Sequence, residues 1–324
     1  MSRTLTGLVA LISLASTQSL QAAIYGPAFA GSYTDISLGG PVGVPGPLGG
    51  LTLLAGDPNT LLIGGDANNA FGAIYSVGLV RGAGGHITGF AGPASLYATA
   101  PNIDGGLAYG PGGVLLYTAY PTHEIGQIKP GSVAPDRVDG VTGIGSSVGA
   151  LTFVPAGFSG AGQLKVVSFS SGEFGTATFA PDGSGTFDID PVIPVTTIVG
   201  GPEGIAYVAA GNPGFAVDSM LVAEWSIGRV AAYEIDGNGD PIAATRRDFI
   251  TNLSGAEGAF IDPITGDFLF STFGGGDQVI VVQGFRAPPG AVPEAASLLV
   301  WAGLGVCGAA IGLSRKLPMG TPAR

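Results

Sequence analysis

Gly201-Pro202-Glu203-Gly204-Ile205-Ala206-Tyr207, followed by Met220-Leu221-Val222-Ala223 and Arg229-Val230-Ala231-Ala232-Tyr233, decides the fold of this chain. Short apolar runs of this length, bounded by Gly, Pro and acidic turns, read as buried strands rather than helices. The turn Asp236-Gly237-Asn238-Gly239-Asp240 then leads toward a fourth strand. The same layout recurs along the chain. First strands start at Gly50-Leu51-Thr52-Leu53, Gly106-Leu107-Ala108-Tyr109, Gly149-Ala150-Leu151-Thr152-Phe153, Gly204-Ile205-Ala206-Tyr207 and Gly258-Ala259-Phe260-Ile261, spaced by 43 to 56 residues. Second strands begin at Thr60, Val114, Leu164, Met220 and Phe268; third strands begin at Ala73, Gly126, Thr176, Arg229 and Gln278.

The turns repeat with the strands. Asp57-Pro58-Asn59-Thr60 and Asp262-Pro263-Ile264-Thr265-Gly266-Asp267 fill the slot between first and second strands. There, aspartate accepts from the turn backbone and proline presets φ. Asp182-Gly183-Ser184-Gly185 reads as the counterpart of Asp236 to Asp240, a hairpin turn into the fourth strand. Units that cannot bury a core alone must stack, and a closed ring leaves no open edge. The expectation is an all-β propeller of five or six blades over residues 24–285, with Tyr33-Thr34-Asp35-Ile36-Ser37 supplying the outer strand of the last blade. An immunoglobulin-type sandwich or two stacked small β domains is the alternative architecture. The repeat layout, clearest from Gly201 to Phe285, resembles the NHL and SMP-30-like β-propellers.

Composition agrees. With 58 Gly and 24 Pro, long helices cannot be spread through the chain, while 46% hydrophobic residues exclude a disordered composition. A net charge of −11 and a pI near 4.4 exclude phosphate backbones as partners, so no nucleic acid is expected. The single cysteine, Cys307, leaves the domain without a disulfide, a thiolate metal site or a thiol nucleophile.

The two ends read as addresses. Residues 1–23 carry Arg3, an apolar core from Leu5 to Leu14 and small residues at Ala22 and Ala23, the pattern of a signal peptide cut by signal peptidase. Residues 286–295 form a Pro/Gly linker ending in Val292-Pro293-Glu294; residues 296–316 hold an uncharged apolar run closed by Arg315-Lys316; residues 317–324 form a tail. Such a run nearly reaches across a hydrocarbon layer of about 30 Å, and its basic end belongs on the cytoplasmic side. A single C-terminal transmembrane helix is expected, with membrane contact through that helix alone. The order of Pro-Glu motif, short helix and basic pair is similar to the PEP-CTERM sorting signal of exported Gram-negative bacterial proteins, with Ala295 standing where a second proline is usual. That resemblance implies recognition by exosortase, export across the inner membrane, and release or surface attachment.

Three carboxylates precede blade starts: Asp104, Glu203 and Glu257. Equivalent propeller positions face one mouth of the central channel, and convergent oxygens are what Ca²⁺ needs. The alternative reading is that each caps a turn. The loops between second and third strands offer Asp66, Asn68, His123, Glu173, Glu224 and Trp225 as ligand-binding candidates, because loops on rigid scaffolds carry recognition. Polysaccharide or protein is the expected ligand. No Ser-His-Asp arrangement is defensible with only His86 and His123. The sequence thus favours a non-enzymatic, exported binding, surface or extracellular-matrix component, with a metal-dependent SMP-30-like hydrolase or lactonase as the alternative.

Overall fold

The computed structural model describes residues 23–287. The signal peptide, the sorting motif of Val292, Pro293, Glu294, Arg315 and Lys316, the transmembrane run and the tail therefore lie outside the described residues. Within them, no helix is long and apolar enough to cross a membrane.

Five antiparallel sheets form a five-bladed β-propeller, which settles the blade count left open by the repeat and excludes the sandwich. From inner to outer strand, blade I comprises Leu51–Leu54, Asp57–Gly65, Ala73–Arg81 and Ile87–Thr99. Blade II comprises Ile103–Tyr109, Leu115–Ala119, Glu124–Ile128 and Arg137–Gly140. Blade III comprises Val148–Phe153, Leu164–Ser168, Glu173–Ala177 and Val192–Thr197. Blade IV comprises Pro202–Val208, Ser219–Glu224, Arg229–Glu234 and Arg247–Thr251, and blade V comprises Ala256–Ile261, Phe268–Thr272 and Val279–Gln283.

The N-terminal segment closes the ring as expected. Thr34–Ser37 pairs antiparallel with Val279–Gln283 as the outer strand of blade V. It also does something the sequence did not suggest: Ile24–Tyr25 adds a fifth strand to the edge of blade IV. A second difference lies in blade III. Its third strand is Glu173–Ala177, earlier than the Thr176 start expected, and Asp182-Gly183-Ser184-Gly185 closes an inserted two-stranded hairpin, Ala180–Pro181 with Phe187–Asp188, before the fourth strand. The Asp182 carboxylate explains the shift, because it accepts from Ser184 and Thr186 and so builds its own turn.

Apolar packing divides by seam. One buried cluster fills each contact between neighbouring blades, from Leu62, Leu107 and Tyr117 between I and II to the aromatic set Phe29, Tyr33, Phe215, Phe249 and Phe268 between IV and V. Blade centres are covered on both faces, which is why second strands such as Ser219–Glu224 are buried at every residue and read as unbroken apolar runs.

At the axis the inner strands nearly touch. A Cβ on Gly50, Gly106, Gly149, Gly204 or Gly258 would come within 2.1 to 2.8 Å of the next blade's backbone, so the glycine opening each repeat marks close approach around the ring. Two hydroxyls stitch the seams there. Thr118 Oγ1 accepts from Gly106 N–H and donates to Gly149 C=O, and Ser271 Oγ accepts from Gly258 N–H and donates to Gly49 C=O. At the seam between blades V and I, Arg81 forks onto the buried Asp262, and His86 Nδ1 lies 2.9 Å from both oxygens of the buried Asp267.

Candidate metal centre

The inner strands of blades II, IV and V each slip register against their second strands near their beginnings. In blade IV the shift falls between Pro202 and Gly204, at Glu203; in blade V between Ala256 and Ala259, spanning Glu257; in blade II between Ile103 and Leu107, spanning Asp104. A β-bulge leaves a residue unpaired and re-aims its side chain. Here the three bulges deliver three carboxylates to one place: one oxygen from each of Asp104, Glu203 and Glu257 lies within 4.8 Å of the others. Blade III has its own bulge between Val148 and Ala150, but places Gly149 there, and a Cβ on Gly149 would stand 2.9 Å from Glu203 Oε2. Glycine in blade III makes room for the carboxylate of blade IV.

Burial of these acids is nearly complete, with 1% of Asp104, 4% of Glu203 and 1% of Glu257 exposed. Neither oxygen of Asp104, nor Glu203 Oε2, nor Glu257 Oε1, has a hydrogen-bond partner. An isolated buried carboxylate is very unfavourable, and three together are worse. Burial accordingly pushes Asp104 up to about 7, with the side chains of Glu257, Asn68 and Glu203 and the Gly105 N–H pulling the other way. Glu203 and Glu257 rise well above the usual carboxylate range, first through burial and then through repulsion from Asp104. Only protons or a cation can neutralise such a group.

Of the loop candidates, Asn68 joins this centre. Its backbone N–H donates to Ile103 C=O, its φ is 63°, its side chain reaches toward Asp104, and its enclosed Oδ1 has no partner. Loop spacing carries no sign of this meeting, because it depends on how blade I sits against blade II. The other candidates are occupied differently. Asp66 accepts from Asn69 Nδ2, and Glu173 from Gly145 N–H and Ser171. Glu224 is fully buried and pairs with Arg246 and Tyr233, so it is not a loop surface group. His123 has an enclosed Nδ1 without a partner and a pKa lowered by burial. Trp225 is half-buried, edge-on to Phe169 and Phe273. The Asp236 carboxylate accepts from Asn238 and Asp240 N–H groups, the work of a hairpin turn.

The chain is thus a five-bladed propeller in which bulges at the starts of three inner strands gather three buried carboxylates. No family model matches its sequence, and no curated protein matches it. Among solved structures it is similar to a glucose dehydrogenase, at 13% identity over 78% of this chain and 99% of that one, TM-score 0.46. It is also similar to the PQQ-bound aldose sugar dehydrogenase of Streptomyces coelicolor, at 16% identity over 76% and 82%, TM-score 0.43. A third is the virginiamycin B lyase of Staphylococcus aureus, at 15% identity over 78% and 99%, TM-score 0.38. Likeness at this level is one of fold and does not extend to chemistry.

Proposed function

We propose that this propeller holds a divalent cation at its channel mouth and serves as an exported binding, surface or extracellular-matrix component. The observation that carries the cation is the buried convergence of Asp104, Glu203 and Glu257 with no basic side chain paired to any of them among the described residues. Two oxygens bound to one Ca²⁺ ion can be at most about 5.2 Å apart, twice the Ca–O distance, and the three carboxylates fall within that limit. Asn68 sets its amide beside Asp104, and the all-carboxylate set argues against zinc or copper. Thermal unfolding in calcium and in chelator tests this reading; equal melting temperatures would end it.

Export and sorting rest on the end sequences: signal peptidase at Ala22 or Ala23, exosortase near Pro293-Glu294, and a helix over 296–316 until it is cut. Mass spectrometry of the mature protein checks both cuts, and an intact C-terminus in every cell fraction would leave a plain membrane anchor. A metal-dependent hydrolase or lactonase is the second reading, and Asn68 favours it by adding an amide to the carboxylates. Hydrolysis of sugar lactones that requires calcium and is lost in Glu203→Gln would establish it.

A further inference from the structure

We propose that Tyr120, Phe169, Trp225 and Phe273 set the ion preference of the channel-mouth centre, by excluding the water that magnesium needs and calcium can do without. The inference rests on the cation reading above. These four residues are one structural position seen four times. Each immediately follows the second strand of its blade, II, III, IV or V. Each is fixed by one backbone hydrogen bond, to the carbonyl two residues before the bulge: Tyr120 to Asn102, Phe169 to Ser147, Trp225 to Gly201 and Phe273 to Gly255. The rings therefore sit one step outward from the carboxylates.

They also touch in sequence around the arc. Centroids lie 6.1, 6.0 and 6.1 Å apart from Tyr120 to Phe273, edge to face at 80°, 71° and 79°. Gly201 and Gly255, with φ of 67° and 65°, leave space beneath the rings: a Cβ on Gly201 would stand 2.7 Å from the Phe169 ring, and one on Gly255 3.2 Å from Trp225 Nε1. Blade I breaks the pattern. Ala67 makes the same bond, to Pro47 C=O, but carries no ring, and Asn68 follows it. The apolar arc thus covers four blades, and the blade without a ring sets the Asn68 amide beside Asp104 instead.

The consequence is chemical. Magnesium dehydrates reluctantly and keeps several waters, whereas calcium accepts six to eight oxygens from protein in flexible geometry. A centre whose acids are 1 to 4% exposed, with the aromatic arc at the same end of the blades, draws its shell chiefly from protein oxygens. Calcium fits that condition and magnesium does not.

Isothermal titration of the full-length protein with CaCl₂ and with MgCl₂ tests this, alongside Phe169→Ala, Phe169→Leu and Tyr120→Ala. The unmutated protein should bind calcium about 100-fold more tightly than magnesium, and Phe169→Ala should narrow that ratio about tenfold by gaining magnesium affinity. Phe169→Leu, which keeps an apolar cover, should hold the ratio. Should Phe169→Ala not fold, Tyr120→Ala at the arc's end carries the test, with a narrowing of about threefold. Calcium binding with a ratio unchanged in the variants, or equal affinity for both ions in the unmutated protein, would overturn the inference and leave the cation reading standing. Absence of calcium binding would overturn the cation reading itself.

Discussion

Buried acids occur in two regions of this propeller, and they are treated in opposite ways. At the outer seam between blades V and I, Asp262 and Asp267 are 0% exposed, yet each has its partners within the fold. Asp262 receives Arg81, Thr265 and the Ile264 N–H; Asp267 receives His86. At the channel mouth, Asp104, Glu203 and Glu257 are buried as deeply and have one another. Where an acid is structural, the chain provides the counter-charge and the donors, because an uncompensated buried charge destabilises more than its pairing gains. Where three bulges bring acids together without a counter-charge, the proposed cation is the partner that the chain does not provide.

Breaking the seam should therefore have the largest effect, and one that no ion repairs. Arg81→Ala removes a side chain 12% exposed that holds Asp262 and the carbonyls of Pro58 and Gly85. Stranding Asp262 should cost about 3 to 5 kcal/mol, a fall in Tm of about 6 to 15 °C, equal in calcium and in chelator. A loss that calcium rescued would erase the distinction between the two regions.

At the mouth the sign should depend on the ion. With calcium at about a hundredfold excess over its dissociation constant, the unmutated protein should gain about 2.7 kcal/mol. Glu203→Gln and Glu257→Gln should abolish that gain and raise Tm in chelator at pH 8, because each replaces an acid whose ionised form burial and its neighbours disfavour with a neutral amide. Differential scanning calorimetry in both conditions reads both effects. A calcium shift that persisted in both variants would move the ion elsewhere.

A pH series sharpens the same contrast on a smaller scale. The three acids have folded-state pKa values raised above the unfolded ones, Asp104 to about 7 and Glu203 and Glu257 well above the usual range, so as pH rises past the ordinary carboxylate range near 4 the native state binds more protons than the unfolded chain. Stability supplied by those protons is present at low pH and lost as pH rises. In chelator, Tm should fall by several degrees from pH 5 to pH 8. Saturating calcium should remove that slope, since the ion takes the protons' place. Asp57 and Asp182, lowered by their local hydrogen bonds, act in the opposite direction but below this range.

The sequence disclosed the repeat, the closing strand and the three mouth acids because each is local: an apolar run, an Asp-Pro turn, an acid before a glycine. It did not disclose what depends on how blades meet. Asn68 reaches Asp104 only through the seam between blades I and II, and Glu224 reads as a loop acid until Arg246 and Tyr233 close over it. The aromatic layer was present in the text, as Tyr120, Phe169, Trp225 and Phe273 each directly after a second strand, but a pattern of one residue per blade has no meaning before the strand ends are known. The fifth strand of blade IV is too short, at two residues, to leave a periodic signal.

The smallest expected effect separates what a local motif does by itself from what its setting adds. Asp57 and Asp262 make the same local hydrogen bonds, accepting from the residue two ahead and from a threonine hydroxyl three ahead: Asn59 and Thr60 for one, Ile264 and Thr265 for the other. Only Asp262 opens a turn. In blade I the turn is Ala55-Gly56, and Asp57-Pro58-Asn59-Thr60, expected as the turn, begins the second strand. Asp57 does nothing more, and it lies half-exposed. Asp57→Ala should cost about 1 kcal/mol, the worth of one or two solvent-accessible hydrogen bonds, and lower Tm by about 2 to 4 °C. In Asp262→Ala the same local bonds are lost, but Arg81 is also left without its buried carboxylate, so the loss should exceed that of Asp57→Ala several-fold. The double variant Arg81→Ala with Asp262→Ala removes both charges together and should recover part of it, whereas adding Arg81→Ala to Asp57→Ala should recover nothing. Equal losses for the two aspartates would mean that the turn, and not the cross-seam pair, is what Asp262 contributes.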